Sequence, residues 1–301
     1  MANVISSGPL IEARGLTKHY DGFSLKEVNL SVGEGEVVGF VGQNGAGKST
    51  TIKALLGVIG IDGGEASILG TLSDKLTRPS GAATKERIGV VFDAMSFPGH
   101  VKIADVERIH AHAYTTWDAQ YFSKLIADLG LSVDKRVKDL SRGMGMKLSL
   151  ACALAHHPQV LILDEATAGL DPMARDEALD RLRDFMAEPG RAILMSSHIT
   201  SDLERIADRI VCIDDGRIVF DKPKDEITDE AGIARCRKAD FERVAASGVV
   251  LSSDLRCLHH EYGIDLLVPD RFVFAKSFPE IPVDRMTIDD YMAFILKGGV
   301  R

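Results

Sequence analysis

Apolar and polar positions follow two different patterns along the strands that the sequence predicts. Between residues 10 and 40 they alternate between glycine-rich turns, which predicts short antiparallel strands. QVLILDEA (159–166) contains a continuous apolar run, typical of a strand buried on both faces of a parallel sheet, and RAILMSS (191–197) is of the same kind. EVVGFVG (36–42) and KERIGVVF (85–92) predict two further strands. Together these patterns predict an α/β fold.

Helical patterns occupy much of the sequence between these strands. KSTTIKALLGVI (48–59) directly follows the strand EVVGFVG, and residues 101–130 are mostly helical in pattern. Ser141 is placed to N-cap a helix that runs through MKLSLACALAHH and stops near Pro158. A further amphipathic helix is predicted over residues 173–187.

The sequence changes character after Phe220. RIVCIDDGRIVF, which ends there, predicts a β-hairpin that turns at its Asp-Gly pair, and the polar segment DKPKDEITDE that follows predicts a linker. Strands are then predicted in GIDLLVPD and RFVFA. A last helix has a capping box, Thr287 with Asp290, and ends at a Gly-Gly pair. A small α/β domain, with a regulatory or dimerising accessory role, is therefore predicted over residues 222–301.

Composition excludes some classes of protein. The 301 residues carry a formal net charge of −8, which argues against a general binder of nucleic acid or of anionic membranes. No apolar run approaches about 18 residues, so no membrane span is predicted, and the N-terminal sequence does not resemble a signal peptide. The four cysteines are widely spaced without a CxxC pair, which favours free thiols in a reducing compartment. A cytoplasmic protein is expected.

A glycine-rich octapeptide, GQNGAGKS (42–49), lies between a predicted strand and a predicted helix and fits the phosphate-loop pattern. Glycines let several backbone N–H groups point at one anion, and the following helix adds its positive N-terminal end. Lys48 is expected to reach the β- and γ-phosphates of ATP, and the Ser49 hydroxyl to ligate Mg²⁺. The residues predicted to bind the nucleotide here are Gly42, Asn44, Gly45, Ala46, Gly47, Lys48, Ser49 and Thr50.

Two acidic residues end the buried strand in LILDE. Asp164 is expected at the carboxyl end of this strand, where phosphate-loop ATPases place an aspartate that holds Mg²⁺. Glu165 comes next and could polarise the attacking water. In isolation, the same pattern would also describe a strand that simply ends in charged residues.

Several motifs in order make the chain resemble the ATP-binding subunit of an ABC transporter over about residues 10–220. After the phosphate loop come LSRGM (140–144), which fits the family's signature segment, then LILDEATAGLD, then SSH (196–198). The resemblance implies a phosphate-loop NTPase core with a mixed sheet, an antiparallel β subdomain and a helical subdomain over about residues 94–157. This ATP-binding domain would span residues 1–221.

The resemblance also implies roles in catalysis. Glu165 would activate water, His198 would contact the γ-phosphate, and Lys48 would complete the catalytic set. A structural surface histidine is the alternative for His198. Tyr20, in KHYDGF, fits the aromatic residue that stacks on adenine, and an ordinary strand aromatic is its alternative.

The family mechanism places each ATP between two subunits of a dimer. Ser141 and Gly143 of the signature segment would contact the ATP held by the other subunit, and Asp171 would link the two sites. The second subunit would be another copy of this chain or a paralogue. A separate integral membrane permease would be the other partner, with the dimer peripheral on the inner face of the cell membrane.

Three positions depart from the family pattern. Arg142 stands where the signature segment normally has glycine, and its guanidinium could face phosphate or solvent. Met144 replaces the usual glutamine. Asp93 follows the strand IGVVF, where the family carries a glutamine near Mg²⁺. A carboxylate can ligate Mg²⁺ but adds negative charge near the γ-phosphate, and an ordinary loop aspartate is the alternative.

The expected function is to bind and hydrolyse Mg-ATP in a head-to-tail dimer and so drive the separate permease, with export of a peptide, drug or antimicrobial as the expected direction. The chain also resembles, more narrowly, bacterial single-cassette subunits of a branch that includes exporters of phenol-soluble modulins. The alternatives are a soluble regulatory ATPase of the same fold and a nucleotide-binding interaction module with little turnover.

Overall fold

The computed structural model describes residues 8–95, 97–248, 256–261 and 263–300. Residues 1–7, which carry part of the expectation about a signal peptide, lie outside this range. The strands are, in chain order, β1 Ile11–Tyr20, β2 Phe23–Val32, β3 Val37–Val41, β4 Gly63–Ile68, β5 Thr71–Leu72, β6 Ile88–Val91, β7 Val160–Asp164, β8 Ala192–Ser196, β9 Arg209–Asp214, β10 Arg217–Pro223, β11 Gly232–Cys236, β12 Arg256–His260, β13 Gly263–Val268, β14 Val283–Arg285 and β15 Gly299–Val300. The α-helices are α1 Lys48–Leu55, α2 Ser73–Leu76, α3 Ala82–Lys85, α4 Ile103–Ala113, α5 Ala119–Asp128, α6 Arg142–Leu154, α7 Pro172–Met186, α8 Thr200–Ile206, α9 Lys238–Ser247, α10 Arg271–Ser277 and α11 Ile288–Lys297.

A six-stranded mixed sheet forms the centre of the ATP-binding domain, with the strand order β10-β9-β3-β8-β7-β6. The strands from β9 to β6 are parallel, and only β10 pairs antiparallel at the edge. Every residue of β3, β7 and β8 is buried, as their apolar sequences predicted. Because these strands are parallel, their carboxyl ends meet at one edge of the sheet.

A second, antiparallel sheet has the order β2-β1-β4-β5 and packs over α1. Ile52 and Leu55 of α1 lie in one hydrophobic core with Leu25 of the antiparallel sheet and Phe40 of the mixed sheet. Helix α1 is therefore held between the two sheets. The predicted antiparallel β subdomain is confirmed.

The helices α4, α5 and α6 form the helical part of the domain and lie within the predicted range of residues 94–157. Phe122 and Leu148 are fully buried between them. The Ser141 hydroxyl accepts the backbone N–H of Met144 at 3.2 Å, so the predicted N-cap of α6 is confirmed.

The C-terminal α/β domain is built on a five-stranded antiparallel sheet with the order β14-β11-β13-β12-β15, accompanied by α9, α10 and α11. The predicted capping box is present, since Thr287 Oγ1 accepts the Asp290 N–H and Asp290 Oδ2 accepts the Thr287 N–H, both at 3.1 Å. The prediction of a strand in RFVFA was wrong. Asp270 accepts the N–H groups of Phe272 and Val273 and starts α10 there.

The prediction of a linker in DKPKDEITDE was also wrong. Strand β10 continues to Pro223, and a π-helical turn follows at Glu226–Glu230. Ile227 of this turn is fully buried in the same core as Phe220, Leu203 and Phe294. Ile227 and the neighbouring Thr228 are buried in this turn, while its other residues are charged, and sequence polarity did not reveal that anchor. The domain boundary at residues 221/222 stays a prediction, and β10 crosses it.

Helix α1 is shorter than the sequence predicted and ends at Leu55 rather than near residue 59. Gly57 has φ +69°, and a Cβ there would lie 2.1 Å from the Ser73 carbonyl oxygen. The left-handed glycine and the close backbone contact end the helix at this point.

The described part of the chain contains four buried free thiols and no membrane-spanning helix. No helix within it is both long and apolar enough to cross a bilayer. All four cysteines are described, all are buried, and none forms a disulfide. Burial, with a smaller contribution from the Asp214 carboxylate, raises the pKa of the Cys212 thiol to about 12.

We predict that the C-terminal domain and the ATP-binding domain unfold cooperatively, because Phe294 belongs to the core that also contains helices of the ATP-binding domain. Phe294→Ala should lower the free energy of unfolding by about 3 kcal/mol. Urea unfolding followed by fluorescence of Trp117, which packs against the same core from the ATP-binding domain, measures this change. Phe274→Ala is the comparison variant, since Phe274 is equally buried but belongs to a separate C-terminal core. If the two domains unfold together, this variant should lower the Trp117 midpoint as well. A Trp117 midpoint that stays at the wild-type value in either variant would contradict cooperative unfolding.

Candidate functional site

A cleft of about 830 Å³ lies at the carboxyl ends of the central strands, between the two sheets. The glycine-rich loop between β3 and α1 forms its floor, and residues after β6, β7 and β8 line its sides. The lining residues are Gly22, Phe23, Gln43, Asn44, Gly45, Gly47, Lys48, Ser49, Thr50, Asp93, Arg142, Glu165, Ala168, His198 and Asp215.

The loop has the backbone shape that an anion cradle needs. Gly42, Gly45 and Gly47 have φ values of +155°, +84° and +120°, which favour glycine. A Cβ at Gly42 would lie 2.3 Å from the Ile213 carbonyl oxygen, so the loop packs against β9 without room for a side chain. At Gly45 the space is open. The loop is thus packed from behind and accessible from the cleft, with the N-terminus of α1 beside it.

Lys48 is the buried cation of the cleft, with a side chain that is only 6% exposed. Its Nζ donates to the carbonyl oxygens of Gly42 at 2.7 Å and Gln43 at 3.4 Å, and lies 3.8 Å from Glu165 Oε1. The loop carbonyls therefore hold the ammonium group over the loop, where it can meet a phosphate oxygen.

The Ser196 hydroxyl joins the ends of β7 and β8. It donates to Asp164 Oδ1 at 2.6 Å and accepts the Glu165 backbone N–H at 3.2 Å. Glu165 has φ +56°, a strained value for a residue other than glycine. Its Oε2 lies 2.5 Å from His198 Nδ1 and also accepts the His198 backbone N–H at 3.2 Å. The structure therefore brings the predicted catalytic residues Lys48, Glu165 and His198 into one cluster.

Oxygen groups in the cleft and at the end of β7 are suited to a magnesium ion. Ser49 lines the cleft in the first turn of α1, whereas Asp164 is buried at the end of β7 and is not among the cleft-lining residues of the described chain. Hydroxyl and carboxylate oxygens are ligands that Mg²⁺ prefers. The carboxylate of Asp93 lines the same cleft and is a third candidate. Within the described ranges no group of three or more His, Cys, Asp or Glu side chains is arranged so that it could hold a metal ion.

Ser141 and Gly143 of the signature segment line a different cavity, of about 710 Å³, together with Asp171. Asp171 N-caps α7 by accepting the Ala174 N–H at 3.0 Å, and this hydrogen bond lowers the pKa of its carboxyl group. Arg142 lines both cavities and stands between them. Within one chain, the predicted nucleotide ligands therefore fall into two groups.

The structure does not bring Tyr20 into the cleft. Tyr20 is 46% exposed, lies under the Lys18 ammonium group at 5.6 Å, and is not among the cleft-lining residues of the described chain. Phe23, which pairs with Tyr20 across the β1–β2 turn, lines the cleft instead and packs against Gly47. Sequence reasoning missed Phe23. The Asp21-Gly22 pair was the feature of the sequence that could have indicated Phe23. It predicts a turn, and the chain reversal brings Phe23 beside Tyr20.

Comparison with known proteins agrees with this geometry. A family model described as ABC transporter matches residues 25–168. A fluoroquinolones export ATP-binding protein of Mycobacterium tuberculosis is 35% identical over 270 residues, covering 87% of this chain and 83% of the relative. The bacitracin transport ATP-binding protein of Bacillus licheniformis is 32% identical over 221 residues, covering 72% and 71%.

Solved structures agree on the fold. A dimeric ATP-binding cassette in a post-hydrolysis state, bound to ADP and Pi, superposes with a TM-score of 0.64. It is 22% identical and the match covers 71% of this chain and 98% of the cassette. The expected phosphate-loop NTPase fold is confirmed, and the relatives do not favour a soluble regulatory ATPase. The chain belongs to the ABC transporter ATP-binding proteins and is an ATP hydrolase of that family.

Proposed function

We propose that this subunit binds and hydrolyses Mg-ATP in a head-to-tail dimer and thereby drives a separate integral membrane permease. The observation that carries the proposal is the division of the predicted ligands between two cavities of one chain. The cleft holds the phosphate loop, Glu165 and His198, while the second cavity holds Ser141, Gly143 and Asp171. A second copy or a paralogue, docked with opposite polarity, would place its signature segment over the cleft of the first.

Charge supports this arrangement. Lys48 is the buried cation of a cleft that also contains the carboxylates of Glu165 and Asp93. Arg142 of the same subunit also lines the cleft, but a triphosphate carries more negative charge than these two cations neutralise, so it needs further positive groups on its open side. The N-terminus of α6 and the Arg142 guanidinium of an opposing subunit would supply them.

The residues of the cleft support one hydrolytic step. Backbone N–H groups of the loop and Lys48 hold the β- and γ-phosphates. Ser49 and Asp164 would hold Mg²⁺, which would supply positive charge to the phosphates. Glu165 orients a water molecule and takes its proton as the water oxygen bonds to the γ-phosphorus. The bond from the γ-phosphorus to the bridging oxygen breaks, and ADP leaves with that oxygen. His198, hydrogen-bonded to Glu165, holds this carboxylate in place. From this position His198 would also contact the γ-phosphate.

The direction of transport is proposed from the relatives. The two curated relatives named above are described as acting in fluoroquinolone export and bacitracin transport. By this similarity the cargo would be a drug, peptide or antimicrobial that leaves the cell. The dimer would sit peripherally on the cytoplasmic face of the membrane, and no nucleic-acid partner is proposed because the net charge is −8.

Glu165→Gln should lower the rate of phosphate release by about 100-fold or more, because general-base catalysis contributes roughly that factor. Binding of a fluorescent ATP analogue should persist, since the phosphate loop is unchanged. Glu65→Gln is a matched control on the exposed surface of β4. Equal rates of phosphate release by wild type and Glu165→Gln would contradict this role and would favour the alternative of a nucleotide-binding interaction module with little turnover.

Asp93→Asn should raise the Mg²⁺ concentration needed for half-maximal phosphate release by about three- to tenfold, because it removes a carboxylate that lines the cleft. In EDTA the same variant should bind ATP more tightly, since one negative charge near the phosphates is lost. Asp134→Asn, at an 82% exposed side chain, is the control. An unchanged Mg²⁺ requirement would show that Asp93 is an ordinary loop residue.

Coupling to a permease predicts that the chain co-purifies with an integral membrane protein from detergent extracts. The test is affinity purification of the tagged chain from solubilised membranes in parallel with the cytosolic fraction. Recovery from the cytosolic fraction alone would contradict a transport function.

A further inference from the structure

The helix that follows His198 is short and needs support from its neighbours. Helix α8 has seven residues, begins two residues after His198, and has Ile199 as its N-cap residue, whose apolar side chain cannot accept a hydrogen bond. A helix of this length is not stable by itself in water. The position of α8, and with it that of His198, therefore depends on what packs around it.

On one side, α8 lies against β3 of the central sheet. Leu203 is fully buried, and its Cδ1 is 3.1 Å from where a Cβ of Gly39 would stand. This contact fixes the distance of α8 from the sheet. Asp208, two residues after the end of α8, also exchanges hydrogen bonds with Val37 of β3, so the sheet holds the C-terminal end of the helix.

Towards α7, the polar contacts of α8 are loose. Asp202 is 2% exposed, and its Oδ2 lies 3.7 Å from Arg175 Nε, which is too long for a hydrogen bond. Neither atom has a hydrogen-bond partner among the described residues. The other ion pair between these helices, Arg205 with Asp176, is exposed and contributes little.

Towards the C-terminal domain, α8 makes a direct hydrogen bond. Glu204 Oε1 accepts the backbone N–H of Ile288 at 2.9 Å, at the first residue of α11. The capping box of α11 uses the N–H of Asp290, so Glu204 satisfies a further N–H group that the helix itself leaves without a partner. The negative charge also lies at the positive end of α11. Ile288 and Leu203 share the same core, so this contact is packed as well as polar.

We propose that Glu204 is a positioning residue for ATP hydrolysis, through which the C-terminal domain holds α8 and thereby the His198 side chain against Glu165. The proposal rests on the role of His198 given above. It assigns residues 222–301 a regulatory role within the same chain: movement of α11 changes the geometry of the His198–Glu165 pair.

The test compares steady-state ATP hydrolysis by the full-length wild type, Glu204→Ala, Glu204→Gln and Asp289→Asn. Glu204→Ala should lower kcat about tenfold, because a small misplacement of a catalytic group has effects of this order or larger. The KM for ATP should stay within about twofold, since the phosphate loop is not touched. Glu204→Gln keeps an acceptor oxygen and should recover most of kcat. Asp289→Asn removes a charge from the same first turn of α11 without breaking the Ile288 bond and should behave as wild type.

Two further measurements separate positioning from loss of folding and from failure of the proposed function. Hydrogen exchange should become faster in residues 198–206 of Glu204→Ala and stay unchanged in residues 48–55. His198→Ala tests the role of the histidine itself. If His198→Ala lowers kcat but Glu204→Ala matches Asp289→Asn, the positioning proposal is wrong and the proposed function stands. If His198→Ala hydrolyses ATP like wild type, His198 has no catalytic role, and the positioning proposal, which rests on that role, is wrong. Equal loss of kcat in the Gln and Ala variants would also overturn the proposal.

Discussion

The phosphate loop keeps its shape because the turn between β9 and β10 is wedged between the loop and β2. The Gly216 N–H donates to the Ala46 carbonyl at 2.9 Å, and the Gly216 carbonyl accepts the Lys26 N–H at 2.8 Å. A Cβ at Gly216 would lie 1.9 Å from the Ser24 carbonyl oxygen, so the three backbones meet without space for a side chain. The curvature of the loop, and hence the direction of its N–H groups, depends on this contact between segments far apart in sequence.

The catalytic cluster follows from the parallel sheet. Strands β3, β7 and β8 end at the same edge of the sheet. The phosphate loop follows β3, Asp164 ends β7 and Ser196 ends β8. Ser196 binds Asp164 and Glu165 together, so the residue proposed to hold the metal and the residue proposed to activate water share one hydroxyl. The strained backbone of Glu165 persists because the Ser196 carbonyl and hydroxyl both hold its N–H.

The C-terminal domain is part of the same folded unit as the ATP-binding domain. Their shared core runs from the helical part through Leu203 and Phe220 to Phe294, and Phe220 meets the Tyr291 ring edge-on at 5.0 Å. A domain joined by a flexible linker could only tether a partner. A domain packed against the helix that follows His198 can also transmit force to the site, which is why its contact through Glu204 matters for hydrolysis.

The sequence by itself determined the features that depend on neighbouring residues. The phosphate loop, the buried strands, the Ser141 N-cap and the capping box of α11 each involve chemistry within a few positions, so their patterns can be read locally. Each motif is likewise a short local pattern, so the order of the motifs along the chain was enough to indicate the fold and the family.

Only the tertiary structure decided which side chains meet across distant segments. It placed Phe23 rather than Tyr20 in the cleft, buried Ile227 in a segment that is charged on either side, and joined Glu204 to α11. It also placed Ser141 and Gly143 of the signature segment outside the cleft that holds the phosphate loop of the same chain. These contacts depend on how the sheets pack and twist, and the free energy of packing is shared among many residues, so no short pattern encodes it.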